Sequence, residues 1–527
     1  MSSGIVGSLR DGLLARLEFV HEALHLDQYG VSAQTTSYVT GALSSSVILF
    51  FTYAVWLIYL HPLAKFPGPK RAVISNIFAF RTLVSGRSVW IMRDLHEKYG
   101  DIVRWGPNEV SFGTADAWKD IYDRRKDGKI LIKDPDFYRV DDTVRAKHIV
   151  TATDPEVHAQ MRKMMSHAFS SKALLDQEDV IQHYANGLID AMYERCNDGP
   201  MDLVDFFNWT TFDILGEMAF GESFNSLRNR KTDSWIAIVL DSVKFTAWGV
   251  AIMKIPFIFH FEKYIFPKKV LEAGYTHALM SKKKILKRAE MTPARPDFAS
   301  YILAKREALG ITDWELAAHA NALIVAGSET SATTMNGLFN YLTNYPDVYQ
   351  KLKDEIRGAF SVGTEITAAR AAALPYLTAC IEEVMRIYPP IPNGMPRVTP
   401  PEGCTIDGQW VPGGTTVAVH MWAVTHNPKY FKDPNVFRPE RWLDKENTTE
   451  RLDASKPFLV GPRMCMGINM AWIELRILTA KIVFHFDFKM VDQRNWCEGQ
   501  NCYTLWSKPP QIMVGTPAQP KPPVTVL

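Results

Sequence analysis

A long run without charge constrains the start of this chain more than any other feature. No Asp, Glu, Lys or Arg occurs between Asp27 and His61, and residues 38–60, ending in VILFFTYAVWLIYL, make a stretch of 23 residues. A helix of about 20 apolar residues crosses a bilayer, so the segment belongs either in a membrane or in a core. Ser44 to Ser46 weaken the run, but its length and hydropathy favour a membrane helix over residues 38–60. Tyr53, Trp56 and Tyr59 suit an interface. A cleaved signal peptide fits poorly, because a leader of residues 1–37 precedes the apolar core. Lys65, Lys70 and Arg71 follow the span and place what comes next in the cytosol, with Arg10 and Arg16 as the opposing charges. Three prolines in HPLAKFPGPK make residues 61–70 a stiff connector.

From residue 71 to 515 no linker, repeat or low-complexity tract appears, so one domain is expected, mostly helical by pattern. Two stretches read as strand pairs: IVRWGPNEVSF from Ile102, with a Gly-Pro-Asn turn, and TIDGQWVPGGTTVAV from Thr405, with an Asp-Gly turn. Residues 516–527 are proline-rich and read as a loose tail. Lys+Arg number 59 against 57 Asp+Glu, a net charge of +2, which offers no electrostatic case for nucleic acid. The six cysteines are too scattered for a disulfide scaffold or a CxxC zinc site and read as reduced thiols. His21-Glu-Ala-Leu-His25 matches the zinc-protease pattern HExxH, but it lies in the amphipathic leader LLARLEFVHEALHL with no domain around it; a helix resting on a membrane surface is the better reading.

One cysteine has a special neighbourhood. In Phe458-Leu-Val-Gly-Pro-Arg463-Met-Cys465-Met-Gly467 it sits between small residues, just before the helical run GINMAWIELRILTAKIVF. Free N–H groups at a helix start favour a thiolate and can bond its sulfur. Glycines let backbone approach a flat ligand, and Arg463 suits a carboxylate. Standing alone, a buried cysteine in a turn would explain the stretch as well. Three other patterns accompany it. Ala326-Gly-Ser-Glu329-Thr330 lies inside a long helical run, where a threonine can bond the carbonyl four residues back. Glu383 and Arg386 are three apart on a predicted helix. His158 and Arg162 share a helix face four apart.

FxxGxRxCxG resembles the haem-ligand loop of the cytochrome P450 family, and the other patterns follow that family's order. The resemblance implies a mainly α-helical, triangular P450 fold with small β-sheets behind an N-terminal transmembrane helix. It makes Cys465 the axial thiolate, the metal ligand, with Phe458, Arg463 and Gly467 around the haem (heme b, iron-protoporphyrin IX). It places Ala326 and Gly327 beside the iron, leaving room there, and gives Thr330 and Glu329 the relay of protons to O2. It assigns His158, Arg162 and Arg397 to the haem propionates. Glu383 and Arg386 should be buried with Arg441 of Phe437-Arg-Pro-Glu-Arg441-Trp442, where Trp442 stands in place of the usual Phe. The implied reaction inserts one oxygen atom of O2 into an apolar small molecule, with electrons from NADPH through a separate cytochrome P450 reductase, and cytochrome b5 as a further partner. HPLAKFPGPK, LHEKYGDIVRWGPNEVSF and LIVAGSETSATT resemble fungal P450s of secondary metabolism, the trichothecene-hydroxylase type included. A single-pass protein of the endoplasmic reticulum membrane is implied. Pocket segments are expected at Val140 to Val150, Ala320 to Ala326, Ile391 to Met395 and near Leu505. The rival readings are a P450-fold isomerase or dehydratase working without O2, against which Glu329 and Thr330 argue, and a non-catalytic membrane haem-binding protein.

Overall fold

The computed structural model describes residues 33–139, 146–255, 264, 268–291, 297–491 and 496–521. The HExxH stretch and residues 140–145 of the first pocket segment lie outside the described residues. The chain divides into two units, residues 1–65 and 66–527, a boundary inside the proline-rich connector expected at 61–70. In the first unit, helix α1 (Ala33–Val55) runs into a π-turn over Trp56–Leu60. The run Tyr38–Leu60 is 23 residues long with mean hydropathy 1.9, and only 11% of its most apolar window is buried. It is long and apolar enough to cross a membrane.

The second unit is built on helices α2 (Ser88–Tyr99), α3 (Pro155–Met165), α4 (Glu178–Cys196), α5 (Leu203–Phe220), α6 (Ser234–Met253), α7 (Lys268–Ala289), α8 (Asp313–Asn344), α9 (Pro346–Ala359), α10 (Pro375–Ile387) and α11 (Ile468–His485). The longest, α8, has a local reason to start where it does. Thr312 accepts from the Glu315 amide at 3.2 Å, and the Glu315 carboxylate accepts from the Thr312 amide at 3.0 Å, a reciprocal cap. Pro346 ends it. Helix α5 is apolar nearly all round, so it belongs inside. Asp202 caps its first turn, Gly221 closes it at φ 68°, and it packs along α8 to form the centre of the core.

Twelve short strands frame the helices among the described residues: β1 (Ile102–Gly106), β2 (Glu109–Phe112), β3 (Ile132–Lys133), β4 (Met201–Asp202), β5 (Arg397–Val398), β6 (Cys404–Ile406), β7 (Gln409–Val411), β8 (Thr416–Val419), β9 (Phe486–Met490), β10 (Asn501–Tyr503), β11 (Leu505–Ser507) and β12 (Ile512–Pro517). The main sheet runs β1-β2-β8-β5-β3, with only β2 and β8 parallel. Asp407 (φ 48°) and Gly408 (φ 70°) make the tight β6–β7 turn expected of Asp-Gly. The proline-rich end is not loose where it begins, at residue 516. Thr516 and Pro517 pair with Asp487 and Phe486 in β9, the Ala518 amide donates to the His485 carbonyl at 2.8 Å, and the Tyr193 hydroxyl donates to the Gln519 carbonyl at 2.8 Å. Local composition read as loose because strand pairing is a non-local interaction.

Helix α10 carries the most buried charge in the fold. Glu383 and Arg386 have no exposed surface and are joined by two bonds of 2.9 and 2.7 Å. Arg441 adds a third at 3.1 Å to Oε1 of Glu383, the Arg438 amide a fourth at 3.0 Å, and the indole N–H of Trp442 a fifth at 2.8 Å to Oε2. The carbonyls of Thr425 and Pro434 accept from Arg386 at 2.8 Å each, and Glu450 balances Arg441. Trp442 therefore contributes a hydrogen bond that a phenylalanine at that position would lack.

A second buried carboxyl lies between α11 and α8. Glu474 is 1% exposed; Ser331 donates to its Oε2 at 2.7 Å, and its Oε1 has no partner among the described residues. Burial pushes its pKa up from 4.5 to about 8, with Ser331 opposing.

Two outcomes follow from these networks. Arg386→Ala leaves Glu383 and its remaining partners unbalanced, at a cost of about 3–5 kcal/mol, a large share of the ~5–15 kcal/mol typical of a domain. The variant should yield little folded protein on size exclusion; normal recovery would refute the network's role. Glu474 has a folded pKa above its unfolded value, so its contribution is complete below about pH 4.5 and is lost as pH rises toward 8. Relative to Glu474→Gln, the wild type should lose about 1.4 kcal/mol of stability per pH unit between pH 5 and 7. Denaturant melts at both pH values measure this, and a pH-independent difference would contradict it.

Candidate active site

The loop before α11 is closed by its own backbone. The Cys465 amide donates to the Phe458 carbonyl at 2.8 Å and the Met464 amide to the Gly461 carbonyl at 3.0 Å, around a 3-10 turn at Gly461–Arg463. Gly461 has φ 75°, and a Cβ there would lie 2.3 Å from the Tyr122 carbonyl oxygen, so no other residue fits. Gly467 stands at the start of α11, and its amide bonds the Cys465 sulfur. Burial pushes the Cys465 thiol up, while the Gly467 amide and the Arg162 charge pull it back. Yet Cys465 keeps an exposed surface. The thiol is thus surrounded by protein closely enough to be raised and still accessible to a ligand. Phe458 is half-buried nearby, its ring 6.4 Å from that of Trp472.

Four basic side chains expected from the sequence come together with a fifth that was not. His158 (5% exposed) lies on α3, which Asp154 caps through the amides of Glu156 and Val157. Arg162, one turn on, donates to the Met464 carbonyl at 2.7 Å and so reaches the cysteine loop. Arg463 donates to the carbonyls of Ala152 and Thr153, both at 2.7 Å, and its buried Nε has no partner among the described residues. Arg397 on β5 bonds the Tyr138 hydroxyl at 3.2 Å and the Pro396 carbonyl at 3.0 Å. The fifth is Lys133, the register partner of Arg397 across β3–β5, whose ammonium donates to the carbonyls of Ile149 and Val150 at 3.1 and 2.6 Å. Nothing in the local sequence singles out Lys133; only strand pairing brings it in.

Burial dominates the electrostatics of this group, with Asp154 opposing it at Arg463 and Cys465 opposing it at Arg162. Burial holds His158 down at about 3, helped by Arg463, Lys133, Arg162 and Arg397. Burial, Arg463 and Arg397 lower Lys133 to about 6; burial and Arg397 lower Arg463 to about 10. No carboxylate is hydrogen-bonded to any of the five among the described residues. Three of the five are guanidiniums without a hydrogen-bonded carboxylate, while His158 and Lys133 are held toward their neutral, hydrogen-bonding forms; the set suits a ligand bringing its own carboxylates, and the thiol beside it suits a soft metal centre. These donors fit haem.

On α8 the threonine hydroxyl of Thr330 donates to the Ala326 carbonyl at 2.6 Å, the bond anticipated from the spacing, and Thr334 repeats it onto Thr330 at 3.0 Å. Ala326 is exposed and Thr330 half-buried in the middle of a helix whose neighbours Ser328 and Glu329 are buried. Gly327 also meets a neighbouring helix: a Cβ there would sit 3.0 Å from the Leu215 side chain, so this glycine allows the close approach of α5 to α8. Glu329 does not bond Thr330; it forms a buried ion pair with Lys508 from beyond β11. That partner, 179 residues away, also had no sequence signal.

A helical domain presenting a backbone-closed cysteine loop, a cluster of basic side chains without a hydrogen-bonded carboxylate among the described residues and a threonine-notched central helix has the donors of a haem-thiolate protein. The family model for Cytochrome P450 matches residues 66–514. The chain is 36% identical over 468 residues to "Cytochrome P450 monooxygenase BOA3" of Botryotinia fuckeliana (strain B05.10), covering 86% of this chain and 92% of that one. It is 35% identical to "Cytochrome P450 monooxygenase atr2" of Stereocaulon alpinum (88% and 94% covered) and 39% identical to "Cytochrome P450 monooxygenase ORF11" of Penicillium roqueforti (strain FM164) (86% and 95% covered). The chain belongs to the cytochrome P450 family. It is a haem-dependent monooxygenase that uses O2 as co-substrate, draws its electrons from a nicotinamide cofactor through a reductase, and acts on hydrophobic substrates.

Proposed function

We propose that the chain is a membrane-anchored tailoring oxygenase that hydroxylates or otherwise oxidises an apolar small molecule in fungal secondary metabolism. The observation that carries the site assignment is the accessible Cys465 thiol next to five basic side chains that have no hydrogen-bonded carboxylate among the described residues. When bound, haem supplies activation of O2 for insertion into an unactivated bond. Cys465 would hold the iron through sulfur, with the Gly467 amide steadying its charge. His158, Arg162, Arg397, Arg463 and Lys133 would take the propionates, and Phe458 would shield the sulfur side. Ala326 keeps the α8 face small. Thr330 on that face and the adjoining buried Glu329 hold and pass protons to it.

The apolar helix α1 supports an anchor, and the basic residues after it support a cytosolic domain on the endoplasmic reticulum, with cytochrome b5 as a second electron donor. Fractionation of full-length chain against one lacking residues 1–60 checks the anchor: a full-length protein wholly soluble without detergent would refute it.

Two substitutions test the site together. Cys465→Ala should abolish the red-shifted Soret band of the reduced, CO-bound protein; its survival would mean another ligand. Thr330→Ala should keep that band but, with reductase added, release about tenfold or more peroxide per product formed, in line with the ~10²–10⁴ of general acid–base catalysis. Unchanged partition would remove Thr330 from the relay.

A further inference from the structure

Glu329 and Thr330 are neighbours on α8, but successive side chains leave a helix about 100° apart. Thr330 shares a face with Ala326, to whose carbonyl it is bonded. Glu329 shares a face with Thr333 and is 3% exposed. A carboxylate at that depth needs a countercharge. It is supplied by Lys508, in the segment joining β11 to β12, whose ammonium donates to Oε1 of Glu329 and, at 3.0 Å, to Oγ1 of Thr333. Pro509 and Pro510 follow and restrict the backbone at this point. The other oxygen of the carboxylate, Oε2, is buried and has no partner among the described residues. One oxygen is thus tied down and the other is left able to accept or release a proton.

The remaining buried ionisable groups on elements packed against α8 are otherwise engaged. Glu474 of α11 is bonded by Ser331. Asp213 of α5 accepts from the amides of Ser226 and Leu227. Glu383 of α10 is saturated by Arg386 and Arg441. Among the described residues, Lys508 is the cation that the structure brings to Glu329.

We infer that Lys508 is the positioning residue of the proton relay: it fixes Glu329 by one oxygen, leaves Oε2 for exchange, and ties the segment after the β10–β11 hairpin to the oxygen-side helix. The inference rests on reading Glu329 and Thr330 as that relay. A lysine acting this way touches neither substrate nor haem; it acts only through Glu329, so its removal should have no effect once Glu329 has lost its charge.

The test is a double-mutant cycle in the full-length, haem-loaded protein with purified reductase, read as peroxide released per NADPH consumed and as thermal unfolding midpoint. Glu329→Gln and Lys508→Met should each raise the peroxide fraction about twofold or more. The double variant should be no worse than Glu329→Gln alone, and Lys508→Arg should stay near wild type. In unfolding, Lys508→Met should fall further than the double variant, because only the single change leaves a carboxylate buried without its cation. Additive peroxide effects, or a Lys508→Met partition equal to wild type while Glu329→Gln is altered, would overturn the inference. If Glu329→Gln leaves the partition unchanged, the relay reading itself fails, whatever the unfolding cycle says about the pair. Should Lys508→Met load no haem, Thr333→Val decides: it keeps every charge and removes the ammonium's second acceptor, so a wild-type peroxide fraction there would overturn the inference and a raised one would support it.

Discussion

Glu383 has no exposed surface, and its two oxygens are shared by two guanidiniums, an indole and a backbone amide. A carboxylate in that position is tolerable only while every partner is present, since desolvation costs more than any single bond returns. The partners come from α10 and from the segment around Pro439–Trp442, and the carbonyls of Thr425 and Pro434 extend the same network. The network therefore locks three distant stretches of chain into one arrangement. The helices α8 and α11 that pack on α10 inherit their positions from it.

Set against this saturated centre, the polar groups of the site are incompletely satisfied. Burial, with the neighbouring positive charges, depresses His158, Lys133 and Arg463, and no carboxylate among the described residues is hydrogen-bonded to them. Arg463 Nε and Glu329 Oε2 are buried and unpartnered among the described residues. Natural folds satisfy nearly all their buried polar atoms, and the exceptions concentrate where a ligand or a reaction completes the set. In this chain the saturated network is structural, whereas the basic side chains beside the Cys465 thiol have no hydrogen-bonded carboxylate among the described residues. Charge balance separates the two more clearly than residue type, because both are rich in arginine.

Much of the architecture was legible from local rules. The Asp-Gly hairpin, the capping of α8, the Thr330 back-bond and the pairing of Glu383 with Arg386 all follow from spacing over a few residues. Gly461 was identifiable as a backbone requirement, although the Tyr122 carbonyl that enforces it was not. The packing of Gly327 against Leu215 was not legible, because helical periodicity does not say what a missing side chain lies against. The paired strand at Thr516 and Pro517 looked like a loose end for the same reason: its partner, β9, is some thirty residues earlier.

What the sequence determined by itself is the family of chemistry. A cysteine in its own backbone-closed loop, a threonine four residues after an alanine, and an apolar run of membrane length are all properties of contiguous residues, and contiguous geometry is fixed by helix and turn stereochemistry. What only the tertiary structure decided is which charges meet. Lys133 reaches Arg397 through a two-residue strand pairing, and Lys508 reaches Glu329 across 179 residues. Neither lysine differs locally from a solvated surface lysine. Their roles arise because burial removes water from around them, and an ion without water must find its partner wherever the fold has brought one.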